Sequence, residues 1–171
     1  VNGLLKLADV DKSSTMIALY PPEAWCDKLY PHASDEAWED GLHMTLLYLG
    51  KLPQGDVDEL VRQVMKAAGE LEPIEMVMNG SGCFMNDQTV RLVMPNGVGL
   101  SKWRHKVFEA CEYLMDPPTH GFIPHITLEY HDGELPVGWE QAADQTFPEW
   151  VCDTLYVVRG NEVVGECPVG P

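Results

Sequence analysis

Two pieces of this chain repeat one pattern: Leu42-His43-Met44-Thr45-Leu46 and Pro124-His125-Ile126-Thr127-Leu128. Each places a histidine, an apolar residue, a threonine and another apolar residue in a run of strand formers. In an extended strand, side chains at i and i+2 share a face. His43 therefore stands with Thr45, and His125 with Thr127. Met44, Leu46, Ile126 and Leu128 point the other way. The pattern demands a fold with two strands that each bury one face and leave the other open. It also sets an imidazole beside a hydroxyl twice on rigid supports, as two-sided proton transfer around a phosphate requires.

The surrounding chain supplies a matching frame. Thr15 to Leu19 reads as a strand closed by Tyr20-Pro21-Pro22. A short helix starts near Pro22, with Trp25 and Leu29 on its buried side. Asp35 to Gly41 reads as a solvated acidic loop leading into the strand Leu42 to Leu49. Apolar residues at Val57, Leu60, Val61, Val64 and Ala68 have a helical period over Asp56 to Ala68. Ile74 to Met78 and Thr89 to Met94 read as strands around a Gly- and Asn-rich connection. A helix from Gly99 to about Met115 carries a stripe of Leu100, Trp103, Val107, Cys111 and Leu114. Phe122 to Tyr130 is the second histidine strand. Val151 to Val158 and Glu162 to Cys167 form a closing hairpin with Gly160-Asn161 at its turn. Strand, helix and histidine strand thus occur twice, as two halves of one 171-residue unit related by a pseudo-two-fold axis.

Charge narrows the partners. A net charge of −16, from 11 basic and 27 acidic residues, makes a poor track for a long phosphate backbone, which needs several Lys or Arg. A small nucleotide or a strand end remains suitable, because a cleft can be locally favourable on an acidic surface. No apolar run reaches the roughly 20 residues of a membrane span. Val1 to Asp11 lacks the pattern of a signal peptide, so a cytoplasmic location is expected. The chain has no initiator Met, as expected of a processed product, a trimmed chain or a domain cut from something longer. The five cysteines form no CxxC pair and are expected to be reduced and mostly buried. No carboxylate or histidine cluster has ligand spacing, so neither a metal nor a cofactor is expected.

The motif pair, with the proline before His125 and the glycine ending the first strand, resembles the 2H phosphoesterase superfamily, whose relatives include bacterial 2′–5′ RNA ligases and cyclic phosphodiesterases. The likeness spans roughly Thr15 to Pro168. It implies a bilobal α+β fold with antiparallel sheets lining a central cleft and helices outside. It also implies metal-independent hydrolysis of 2′,3′-cyclic phosphates, 2′–5′ linkages or cyclic nucleotides. Some relatives are phage-encoded and cleave nucleotide signals inside the host cell. Others resemble modules attached to phage head proteins, and an assembly role with a phage structural partner is the competing expectation.

On this reading one of His43 and His125 is the base and the other the acid, in an order set by substrate orientation, and Thr45 and Thr127 donate to the non-bridging oxygens. Arg91 alternates with Val90 and Leu92 and is expected to bind phosphate from the cleft face. Glu129 shares the parity of His125 and Thr127 and is expected to orient a ribose or a histidine. Tyr20, at a strand end, is the expected base-stacking residue. Trp103 and Tyr48 have core parity. His105 is expected on a solvated helix face. His32, His120 and His131 lie in loops and carry little weight.

Overall fold

The computed structural model describes residues 12–85, 87–118 and 121–171. Val1 to Asp11 and His120, on which two of the sequence readings fall, lie outside the described residues. Among the described residues, eight strands form an antiparallel sheet: β1 (Ser14–Leu19), β2 (Met44–Lys51), β3 (Ile74–Met85), β4 (Thr89–Asn96), β5 (Ile126–His131), β6 (Trp150–Cys152), β7 (Thr154–Arg159) and β8 (Glu162–Pro168). Their order is β6-β3-β4-β5-β2-β1-β7-β8. The two histidine strands are thus central neighbours, each backed by the first strand of its own repeat. Four α-helices among the described residues accompany the sheet: α1 (Glu23–Leu29), α2 (Asp35–Asp40), α3 (Val57–Ala68) and α4 (Leu100–Cys111).

Several elements differ from the sequence reading. Both histidine strands begin one residue after their histidine, at Met44 and Ile126 rather than at Leu42 and Phe122, and α4 ends at Cys111 rather than near Met115. Asp35 to Asp40 is a helix, not a loop. Ser34 caps it by accepting the Ala37 amide at 3.2 Å, and Gly41 ends it at φ +84°. That conformation suits a residue without Cβ. Strand β3 continues to Met85, because a register shift between Met78 and Ser81 absorbs Gly80 without breaking the ladder to β4. The segment read as one strand from Val151 is two strands meeting at Asp153: β6 pairs with β3, whereas β7 pairs with β1 and β8. One residue carries the chain between strands near opposite ends of the sheet order, so the sheet curves strongly.

One apolar cluster fills the covered side and draws on both halves: Ile17, Leu19, Met44 and Val157 from one, Met76, Val93, Ile126 and Leu128 from the other. Helix α3 packs Leu60, Val64 and Ala68 into it, and α4 packs Leu100, Trp103 and Val107. Trp103 is buried as expected, with its indole N–H donating to the Glu72 carbonyl at 2.9 Å. Helix α1 is tied down by Trp25, which donates to the Pro148 carbonyl at 2.6 Å and packs against Phe147 and Trp150. Burying these apolar side chains, each contributing about 1.5–3 kcal/mol, fixes the sheet that carries the motifs.

Candidate active site

Strands β2 and β5 join through one Cα pair, Met44 with Ile126, in antiparallel register. Both side chains are completely buried. The residues flanking that pair are therefore brought to the opposite face of the sheet. Counting outward from that pair in antiparallel order, His43 falls opposite Thr127 and Thr45 opposite His125. Beyond this junction the strands part. The edge of β5 is taken up by the segment leading into α2, where the Ser34 amide donates to the Leu128 carbonyl at 2.8 Å.

The two histidines are held identically. His43 Nδ1 lies 2.7 Å from the Gly41 carbonyl oxygen, and His125 Nδ1 lies 2.7 Å from that of Ile123. A carbonyl only accepts, so each Nδ1 carries the hydrogen and donates it. In a neutral ring this leaves Nε2 unprotonated, available to take or, once charged, return a proton. Each ring also has an aromatic neighbour. Phe84 meets His125 edge to face at 4.9 Å, and Tyr20 lies 6.2 Å from His43 while contacting Tyr156 at 5.0 Å. Burial, with Tyr156 as a second cause, raises the Tyr20 phenol above its ordinary pKa. The Thr45 hydroxyl points at the Met16 sulfur at 3.4 Å, a weak acceptor that a phosphate oxygen can displace.

Matching register shifts follow the two motifs. On β2, pairing with β1 jumps from Thr45 to Leu47, leaving Leu46 as an extra residue. On β5, pairing with β4 jumps from Thr127 to Glu129, leaving Leu128. Each bulge inverts the alternation beyond it. This corrects three sequence readings. Tyr48 leaves the core and is 57% exposed, on the same side as Thr45. Glu129 moves to the face opposite His125, and its register partner Arg91 shares the face of core residue Val93. There the Arg91 guanidinium, in a residue only 8% exposed, meets Glu129 at 2.9 Å and donates to the His32 carbonyl. The pair braces the chain beneath the groove rather than lining it.

Asp40, at the end of α2, is a nearby group the sequence reading missed. Burial raises its pKa, opposed by the charge of His43. The Ser34 and Gly41 caps were the signal that could have placed it. Of the other described histidines, His105 pairs with Glu109 on the outside of α4, and His32 offers its carbonyl to Arg91. His131 ends β5 rather than lying in a loop, with Nδ1 3.4 Å from Glu129 and Nε2 donating to the Glu134 carbonyl.

A cavity of about 900 Å³ opens beside the junction. It reaches Thr45 and His125, while His43 and Thr127 lie outside its wall. Among the described residues, no group of three or more histidines, cysteines and carboxylates could hold a metal ion, and no helix is long and apolar enough to cross a membrane.

The family model of the 2′-5′ RNA ligase superfamily matches residues 18–163, and the chain belongs to that superfamily, within the 2H phosphoesterases. A curated RNA 2′,3′-cyclic phosphodiesterase of Geobacillus stearothermophilus is 31% identical over 104 residues, 57% of this chain. That match spans only a third (33%) of the Geobacillus protein. A crystal structure from Thermus thermophilus superposes with a TM-score of 0.70 at 18% identity, covering 91% of this chain and 97% of that one. E. coli LigT complexed with 3′-AMP superposes with a TM-score of 0.61 at 15% identity, covering 93% and 99%. LigT has also been crystallised with phosphate, ATP and NADP+.

Proposed function

We propose that this chain is a phosphodiesterase that opens 2′,3′-cyclic phosphates, or cleaves 2′–5′ or cyclic oligonucleotide linkages, by two-histidine acid–base catalysis. The observation that carries the reading is the pair of 2.7 Å bonds from Nδ1 to a carbonyl two residues back. A structural histidine needs one satisfied nitrogen; two histidines on one junction with the same nitrogen satisfied and the other left over are equipped for proton transfer. The name of the Geobacillus relative and the nucleotides found with LigT support the substrate class.

In the proposed reaction, a water oxygen bonds to phosphorus as its proton passes to Nε2 of one neutral imidazole. The phosphorus–oxygen bond to the ribose breaks. The leaving oxygen takes a proton from Nε2–H of the other, charged ring. Throughout, both Nδ1–H groups keep their carbonyl partners, so the rings neither flip nor change tautomer. Thr45 and Thr127 donate to the non-bridging oxygens, where negative charge must be stabilised. Both proton steps come from the chain itself, so the reaction is expected to run without a divalent ion.

The test is hydrolysis of 2′,3′-cyclic nucleotides in EDTA. Each of His43→Ala and His125→Ala is expected to lower kcat by about 10²–10⁴-fold, the usual value of a general acid or base. Undiminished turnover in either variant, or turnover abolished by EDTA, overturns the reading.

A further inference from the structure

We propose that the cavity beside His125 is a subsite for a second nucleoside, and that Arg104 selects guanine there; this rests on reading the histidine junction as a phosphodiester centre. The cavity's position gives the first argument. It shares Thr45 and His125 with the junction and extends to one side only. A phosphate held between the rings would therefore have open space on the His125 side. At about 900 Å³ the space lies near the top of the range for small-ligand pockets, about 300–1,000 Å³. A cyclic phosphate on a single nucleoside leaves most of it empty.

The walls give the second argument. Phe84 stands perpendicular to His125, and three large apolar side chains are left open to solvent around the cavity: Met85 at 79%, Tyr48 at 57% and Ile123 at 47%. Apolar surface gathered at the mouth of a cleft marks something that covers it. A flat heteroaromatic base does so by stacking, and the β2 bulge is what delivers Tyr48 to this side. On the far side of the junction, Tyr20 and Tyr156 offer a separate aromatic pair near His43, so a two-base substrate finds a platform for each base.

Arg104 gives the third argument. It lines the cavity from α4, with its guanidinium 5.1 Å from the centre of the Phe122 ring. Its Nε is sealed by the surrounding protein, so the terminal N–H groups of the guanidinium are the donors left for a ligand. A planar fork of donors against an apolar wall suits a base edge with two adjacent acceptors, which among the four bases is guanine O6 and N7. Adenine offers one acceptor and one donor at those positions. Asp116 at the rim supplies an acceptor for the N1–H and N2–H groups of the same base.

Binding of 2′–5′-linked ApG, ApA and ApC, with 3′-AMP as the one-nucleoside control, tests this by calorimetry on the His43→Ala protein, whose altered residue lies outside the cavity. ApG is expected to bind more tightly than ApA and than 3′-AMP. Arg104→Met keeps the stem over Phe122 and removes the donors; it is expected to erase a guanine preference of about tenfold while leaving 3′-AMP binding within about twofold. Arg104→Lys, which keeps charge but not the fork, is expected to lose the preference as well, and unchanged thermal midpoints exclude misfolding. If ApG binds no better than 3′-AMP, or if both Arg104 variants weaken every ligand equally, the subsite is overturned. Guanine-selective binding in a wild type that hydrolyses none of these compounds would instead sink the catalytic reading and leave the subsite standing. Hydrolysis of cyclic mononucleotides with no gain from a second nucleoside would do the reverse.

Discussion

Met44 and Ile126 are the one Cα pair joining the two histidine strands, and each lies directly after its histidine. Whatever moves this pair moves both imidazoles. Ile126→Ala removes a fully buried side chain and is expected to cost about 2–5 kcal/mol in urea unfolding. Leu60 on α3 is equally buried, so Leu60→Ala should cost a similar amount. Measured on protein that is still folded, only Ile126→Ala should lower turnover of cyclic nucleotides by more than its unfolded fraction. Equal loss in both variants would mean that the junction does not set the geometry of the site.

The motifs were legible because strand parity is a property of single residues, and the His-x-Thr spacing obeys it in both halves. What lies after each motif was not. A bulge is a difference of register between two strands, so one strand's sequence does not record it, and the insertions at Leu46 and Leu128 bring Tyr48 to the groove side and take Glu129 off it. Arg91 was misplaced for another reason, since on the regular strand β4 it shares the parity of the core residue Val93. The boundary at Asp153 was hidden for a similar reason: Val151 to Val158 reads as one extended run, and only its partners divide it. Helix α2 was locally legible through Ser34 and Gly41, but the density of acidic residues between them suggested a solvated loop.

Arg91, Glu129 and the His32 carbonyl form a brace beneath the groove. Removing one partner of a largely buried ion pair leaves the other uncompensated, and Arg91→Met is expected to cost about 3 kcal/mol. The His32 ring lies close by, and burial first, then the Arg91 charge, holds its pKa below 6.5. On acidification the unfolded chain takes up a proton that the folded chain resists. Stability is therefore full above about pH 6.5 and falls as the pH drops through the lowered value. His32→Gln should flatten the fall in urea midpoint between about pH 7.5 and about pH 5. A fall of the same size in the variant would remove His32 as its source.

The cysteines provide a label inside the cavity. Burial pushes the thiols of Cys111 and Cys152 up to about 12, and that of Cys167 to about 11. All three should resist iodoacetamide at about pH 8 until the chain is unfolded, since the thiolate is the reactive form. Cys26 is raised by burial, then by Asp27 and Glu23. Cys83 lines the cavity and is partly open, so it should be alkylated first in peptide mapping. A bound dinucleotide should slow that step several-fold. Alkylation of a buried thiol ahead of Cys83 would contradict this packing.

Two imidazoles that must be in opposite protonation states give a bell-shaped dependence of kcat/KM on pH, whose limbs belong to the pair. Single substitutions separate them. The ring that takes a proton must be neutral, so its loss removes the acid limb. The ring that gives one must be charged, so its loss removes the alkaline limb. Residual activity of His43→Ala and His125→Ala, followed from about pH 5 to about pH 9, should therefore lose opposite limbs, and which variant loses the acid limb names the base. If both variants lose the same limb, one histidine performs both transfers and the other is a bystander.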